Sequence, residues 1–249
     1  MASASCPQDD LAWENRLDLV FQPVLIVVQC RFGSTRLPGK ALYPLAGLPM
    51  LVFLLRRLKA ACLPGRLVLA TTDRPEDEIL ASWGRGENVA VMRGPSEDVL
   101  SRYLLCLDEY PAEAVVRVTA DNPLTHPEAI ALAGRTLLSE DCEYVDAYTG
   151  YPDGAGVDGF KADLLRFLDK ETSERRHREH LNAYILDNRN RFRCLQLPPP
   201  AGLARPDVRL TVDTRVDWTR IAALFTPDDP KPYALSLEDA IKRIDRLAF

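Results

Sequence analysis

Apolar and polar positions alternate in blocks along this chain, and the blocks switch between two periods. Val24 to Val28 is a short apolar run rich in β-branched residues, preceded by Pro23, which predicts a strand buried on both faces. Pro49 to Ala61 places Met50, Leu51, Phe53, Leu54 and Leu58 at helical spacing, with Arg56, Arg57 and Lys59 opposite. A strand over Arg66 to Thr71 follows, then an acidic helix start at Asp73, Pro75, Glu76 and Asp77, placed as the helix macrodipole favours. The same alternation predicts a strand over Val89 to Met92, a helix over Asp98 to Tyr110 with Ser96 as N-cap, a strand over Ala114 to Thr119 and a helix over Pro127 to Ser139.

Beyond this point the pattern is less regular. Glu143 to Tyr148 is strand-like, and Gly150, Pro152, Gly154, Gly156 and Gly159 read as one loop. Lys161 to Asn190 is helical in spacing and highly charged, and Phe192 to Leu197 reads as a strand before the stiff connector Pro198-Pro199-Pro200. A last strand over Val208 to Val212 ends in Asp213-Thr214, and helices fit Val216 to Phe225 and Ser236 to Leu247. Four strand–helix alternations predict a three-layer α/β/α sandwich with a mostly parallel central sheet. Residues 23–249 read as a single domain, and residues 1–22 as a flexible leader. In such a sheet ligands bind at the carboxyl ends of the strands, where polar clusters at Arg31 to Lys40, Arg93 to Asp98, Asp121 and Asp213 could share one edge.

Composition narrows the function classes. With 249 residues and 47% hydrophobic content, a sizeable core can form. A net charge of -5 argues against a general nucleic-acid binder, but leaves room for a local cationic site for an anion. The six cysteines form no Cys-x-x-Cys pair, so reduced thiols in a cytoplasmic protein are expected rather than a disulfide scaffold or a structural zinc site. No apolar run is long enough to cross a membrane, and the first residues lack the pattern of a secretory signal.

The densest candidate chemistry lies in the loop after the first strand. Arg31, Arg36 and Lys40, with Ser34 and Thr35, cluster around Gly33 and Gly39. Guanidinium groups grip phosphate bidentately, lysine adds a point charge and glycine lets the backbone approach, so this loop reads as a polyphosphate cradle. It is not a Walker A loop: five residues separate Gly33 from Gly39, and Ala41 follows Lys40 where Ser or Thr is required. The plainer alternative is a basic surface turn.

Arg31-Phe-Gly-Ser-Thr-Arg-Leu-Pro-Gly-Lys40 resembles the signature of cytidylyltransferases that activate acidic sugars, such as CMP-KDO synthetase, and within them the branch of spore-coat polysaccharide biosynthesis protein F. Four further stretches carry the resemblance. Arg93-Gly-Pro-Ser-Glu-Asp-Val-Leu-Ser-Arg-Tyr103 is similar to "RGSxxDVLxRY", and Val116 to Leu124 to "xRxTxDxPL". Glu179-His180 with Ala183-Tyr184-Ile185 is similar to "EHxxxYI", and Val208 to Thr214 with Asp217-Trp218 to "RxTVDTxxDW".

The resemblance implies a nucleotide-diphospho-sugar transferase fold (GT-A or Rossmann-like) and transfer of CMP from CTP to an acidic acceptor, with release of pyrophosphate. It implies that Arg31, Arg36 and Lys40 hold the phosphates, helped by Gly33 and Ser34, and that Asp121 and Asp213 hold Mg²⁺. Arg31, Lys40 and Asp121 would then carry the chemistry. Gly94, Ser96, Asp98 and Arg102 are candidates for the base pocket, although Ser96 reads equally as a helix cap and Arg102 as a solvated helix residue. His180 and Tyr184 are expected to face the acceptor, with ordinary packing as the alternative. His177 lies three residues from His180, but no further zinc ligands are evident nearby. A homodimer is also implied.

One stretch departs from the family. Tyr151-Pro-Asp-Gly-Ala-Gly-Val-Asp-Gly-Phe160 resembles "YPDGLDVEVF", with Gly156 in place of the first acidic residue and Asp158 in place of the second. Asp158 is therefore an acceptor-pocket candidate in an altered loop. Two other classes stay open: a glycosyltransferase on the same fold, for which no Asp-x-Asp is present at Asp121-Asn122-Pro123, and a non-catalytic nucleotide-binding homologue.

Overall fold

A computed structural model of the chain describes residues 23–226 and 229–247. The leader expected over residues 1–22 lies outside the described residues. The central sheet has seven strands in the order β5-β4-β1-β6-β8-β7-β9. Strand β1 (Val24–Gln29) lies between β4 (Arg66–Thr72) and β6 (Ala114–Thr119) and is parallel to both. Strand β5 (Ala90–Gly94) extends the parallel half beyond β4. On the other side β8 (Val157–Lys161) runs antiparallel to β6 and to β7 (Tyr144–Ala147), and β9 (Cys194–Gln196) lies parallel to β7 at the edge. A small hairpin, β2 (Pro44–Leu45) and β3 (Leu48–Pro49), follows the first loop.

Strand β1 shows why a continuous apolar run becomes the centre of such a sheet. Val24, Ile26 and Val28 point into one hydrophobic cluster with α1 (Met50–Ala60) and α4 (Pro127–Ser139). Leu25 and Val27 point into the other, with α3 (Val99–Glu109) and α5 (Ala162–Glu171). Alternate side chains leave opposite faces of a strand, so both faces of β1 are covered and its end is held without freedom to tilt. Helix α2 (Glu78–Gly86) covers the β4–β5 edge, its Leu80 joining the first cluster. No described helix is long and apolar enough to cross a membrane.

Several expectations are corrected. The glycine-rich stretch expected as one loop contains β8, because Gly159 lies where a Cβ would come within 2.7 Å of Leu137 Cδ1 on α4. Glycine there serves close sheet–helix packing rather than a turn. The charged stretch expected to be helical in pattern forms three separate helices, α5, α6 (Arg175–Glu179) and α7 (Ala183–Asp187), and α6 buries none of its residues. Residues 208–212 form no sheet strand; the segment carries an isolated bridge between Asp153 and Arg209 and is otherwise held by single hydrogen bonds, such as Val212 N to Asp121 O at 2.8 Å. The N-cap of α3 is Asp98, whose side chain accepts from Ser101 N, and not Ser96. Cys30, Cys106, Cys142 and Cys194 are free thiols.

Asp158 is also not where it was expected. It lies within β8 opposite Arg117 of β6 and makes a bidentate pair with that guanidinium, both contacts 2.7 Å, with 2% of its surface exposed. The shorter side chain therefore completes a buried ion pair. Breaking such a pair strands a buried charge, so Asp158→Ala should lower stability by about 3–5 kcal/mol in urea unfolding. A midpoint unchanged from the wild type would contradict that assignment.

Candidate active site

The loop between β1 and the single 3-10 turn Lys40–Leu42 is shaped around Phe32. Phe32 O accepts from Ser34 N at 2.9 Å and Gly39 N at 3.1 Å, folding the loop back on itself. Ser34 Oγ accepts from Leu37 N at 3.3 Å. Gly39 has φ of 67°, and a Cβ there would lie 3.1 Å from Phe32 Cζ, so the position requires glycine on both counts. Lys40 follows directly and is thereby aimed across the sheet edge.

Lys40 Nζ donates to Asp121 Oδ2 at 2.8 Å, to Val212 O at 2.9 Å and to Asp213 Oδ1 at 3.0 Å. Asp121 stands just beyond β6, and Asp213 just before α8 (Arg215–Ala222), so one ammonium joins three distant parts of the chain. Asp213 also pairs with Arg36 at 2.8 Å and with Arg209 at 2.9 Å. Its backbone is held by Asp217, which accepts from Asp213 N at 3.1 Å and from Thr214 N at 2.9 Å. Partial burial alone would raise the Asp213 pKa; the Lys40 hydrogen bond and the charges of Lys40, Arg36 and Arg209 outweigh it and hold the carboxyl below its ordinary value.

These groups border one cavity of about 310 Å³ at the carboxyl end of the parallel strands. Arg31, Gly33, Ser34, Arg36, Lys40, Asp121 and Asp213 line it, as do Arg102 and His180. Arg102 Nη1 donates to Pro95 O at 2.6 Å and to Ser96 O at 3.0 Å, bracing that turn, while its Nε is buried with no partner. Burial lowers its pKa. His180 caps α6, and its neighbour Glu179 meets Arg31 at 3.4 Å.

Five expected site residues are placed elsewhere by the geometry. Gly94 packs against α3, where a Cβ would come within 2.7 Å of Leu105 Cδ1. Ser96 contributes its carbonyl to Arg102, and its hydroxyl faces Glu97. Asp98 is engaged as the cap of α3 and as the partner of Arg178 Nε at 2.7 Å. Asp158 is occupied by Arg117. Tyr184 donates to Glu171 at 2.8 Å and accepts from Arg191 at 2.6 Å, outside the cavity lining. His177 is likewise fixed, by Thr172 at 3.1 Å and Asp187 at 3.0 Å.

Other lining residues were not expected: Gln29 and Thr119, paired in register across β1 and β6, together with Cys30, Val99 and Glu179. Gln29 Oε1 accepts from Tyr103 Oη at 3.1 Å. Burial, then the charges of Asp77 and Asp121, push the Cys30 thiol up. Gly156 lies outside the cavity, and a Cβ there would sit 2.3 Å from Tyr148 Cα, so no acidic side chain fits that backbone.

The described residues contain no cluster of three or more His, Cys, Asp or Glu able to hold a metal ion. Asp121 and Asp213, converging on one cation, nevertheless suit Mg²⁺, which binds through one or two carboxylates completed by phosphate oxygens and water. Forcing a side chain onto the left-handed backbone at Gly39 should lower stability: Gly39→Ala is expected to cost about 1–3 kcal/mol in urea unfolding. An unchanged midpoint would mean that the Phe32–Gly39 contact is not a constraint.

The cytidylyltransferase family matches residues 25–239. The chain is 30% identical to the spore coat polysaccharide biosynthesis protein SpsF of Bacillus subtilis, over 84% of this chain and 89% of that protein. It is 35% identical to an uncharacterised protein of Methanocaldococcus jannaschii, over 78% of this chain and 80% of that one. Among solved structures, a cytidylyltransferase from Leptospira borgpetersenii superposes with a TM-score of 0.84 at 28% identity, covering 90% and 94% of the two chains. CMP-2-keto-3-deoxy-manno-octonic acid synthetase complexed with CTP shares the fold, with a TM-score of 0.59 at 16% identity over 81% and 97% of the two chains. With its cationic loop and paired aspartates at one sheet edge, the chain belongs to the cytidylyltransferase family.

Proposed function

We propose that the protein transfers CMP from CTP to an acidic sugar, or a similar acidic acceptor, and releases pyrophosphate. The observation that carries this is the single cavity in which Arg31, Arg36 and Lys40 face Asp121 and Asp213. In such a reaction an acceptor oxygen attacks the α-phosphorus while pyrophosphate leaves in line. The work of the protein is then to position the reactants and neutralise charge. Arg31, Arg36 and Lys40 would bind the β- and γ-phosphates, and Lys40 would exchange its carboxylate partners for phosphate oxygens as the nucleotide enters. Asp121 and Asp213 would hold Mg²⁺, which supplies Lewis-acid stabilisation of phosphate charge when bound.

His180, which lines the cavity beside Glu179, would face the acceptor. The similarity to SpsF of Bacillus subtilis supports a role in surface polysaccharide or glycan biosynthesis. The family resemblance supports a cytoplasmic homodimer as the working form.

Incubation with CTP, Mg²⁺ and a panel of acidic acceptors, including KDO and sialic-type sugars, should release pyrophosphate with at least one of them. Release with ATP or UTP but not CTP would contradict the base assignment, and CTP binding without release from any acceptor would favour a non-catalytic homologue. Asp121→Asn and Asp213→Asn should each reduce turnover by about 100-fold or more while leaving the circular dichroism spectrum unchanged. Full activity in either variant would place the metal elsewhere.

A further inference from the structure

Asp77 reads in sequence as one of several acids opening a helix, but its side chain does not cap α2. It is turned away from its own helix and buried, with 1% of its surface exposed. Asp77 Oδ1 accepts from Phe32 N at 2.7 Å, and Oδ2 accepts from Thr72 N at 3.2 Å and from the Thr72 hydroxyl. Three donors thus converge on the two oxygens of one carboxylate. An amide in its place would offer only one acceptor oxygen and would set an N–H against the donors on the other side.

Phe32 is the pivot of the loop. Its carbonyl takes two of the loop's closing hydrogen bonds, and its ring lies against Gly39. Its amide is tied to Asp77 and so to the end of β4. The loop carries three cations, Arg31, Arg36 and Lys40, each paired with carboxylates from distant parts of the chain, Glu179, Asp121 and Asp213. Holding such a loop in its binding shape beforehand avoids spending ligand affinity on ordering it.

We propose that Asp77 is the positioning residue of the phosphate loop, fixing Phe32 so that Arg31 on one side and Gly39-Lys40 on the other are presented to a nucleoside triphosphate. This rests on reading the cavity as the CTP site. Asp77 touches no ligand; it acts through the Phe32 backbone.

The test is CTP–Mg²⁺ binding by calorimetry to the wild type and to Asp77→Asn, combined with amide NMR. Asp77→Asn should bind CTP about tenfold or more weakly, the loss expected when a charge-assisted, preorganising bond is removed. Its amide shift changes should concentrate on residues 31–40, with those of β6 and β8 unmoved. A folded Asp77→Asn that binds CTP as the wild type does would overturn the proposal. So would shift changes spread evenly over the sheet, the mark of a merely structural role. Should that variant not fold, the wild type decides: before nucleotide is added, the Phe32 amide should exchange about 100-fold more slowly than the Gly33 amide, and equal rates would overturn the proposal. If the wild type itself binds no CTP, the reading of the cavity fails, an outcome distinct from a wild type that binds and a variant that binds equally well.

Discussion

One ammonium group organises this protein's functional edge. Lys40 Nζ is shared by Asp121, Val212 O and Asp213, which come from the end of a central strand and from the extended segment near the C-terminus. A cation between two carboxylates neutralises like charges that would otherwise drive those segments apart. On the proposed reading, the same arrangement would supply the components of a phosphate site: a lysine turning to an anion, and two carboxylates taking a divalent cation in its place. Its geometry depends in turn on β1, whose burial on both faces fixes where the loop begins.

Around that contact the fold divides its polar residues into two kinds. Arg31, Arg36, Lys40, Asp121 and Asp213 line the cavity and are paired with one another or with Glu179 across it. Arg117 with Asp158, Asp98 with Arg178, and Asp217 with the backbone of Asp213 and Thr214 are engaged internally. Asp217 keeps the Asp213 backbone in place and Asp98 ties α3 to α6, so the accessible set sits on a rigid frame. Preorganised charge of this kind is what nucleotidyl transfer needs, since the protein contributes position and field rather than covalent chemistry.

Much of this was legible in sequence wherever the signal is local. The cations of the first loop are neighbours in the chain, and its two glycines mark the turn. The strand–helix alternation up to Ser139 places Asp121 at the same edge by topology alone, and Pro127 to Ser139 matches α4 residue for residue. What was not legible depends on partners far away in the chain. Asp158 resembles a site acid until β8 pairs antiparallel with β6 and brings Arg117, 41 positions earlier, onto it. Asp98 and Ser96 are both good caps, and only the start of α3 chooses between them. Gly159 weakens the strand pattern of β8, yet it is there because Leu137 needs the space.

In the proposed reaction the Lys40 contact is a resting arrangement which a triphosphate replaces. A crystal structure of the protein with CTP and Mg²⁺ tests it most directly. The triphosphate should lie in the cavity beside Arg31 and Arg36, with Lys40 Nζ on its phosphate oxygens and the metal between Asp121 and Asp213. A nucleotide bound elsewhere, or bound in the cavity with Lys40 still held by both aspartates and no metal between them, would contradict it.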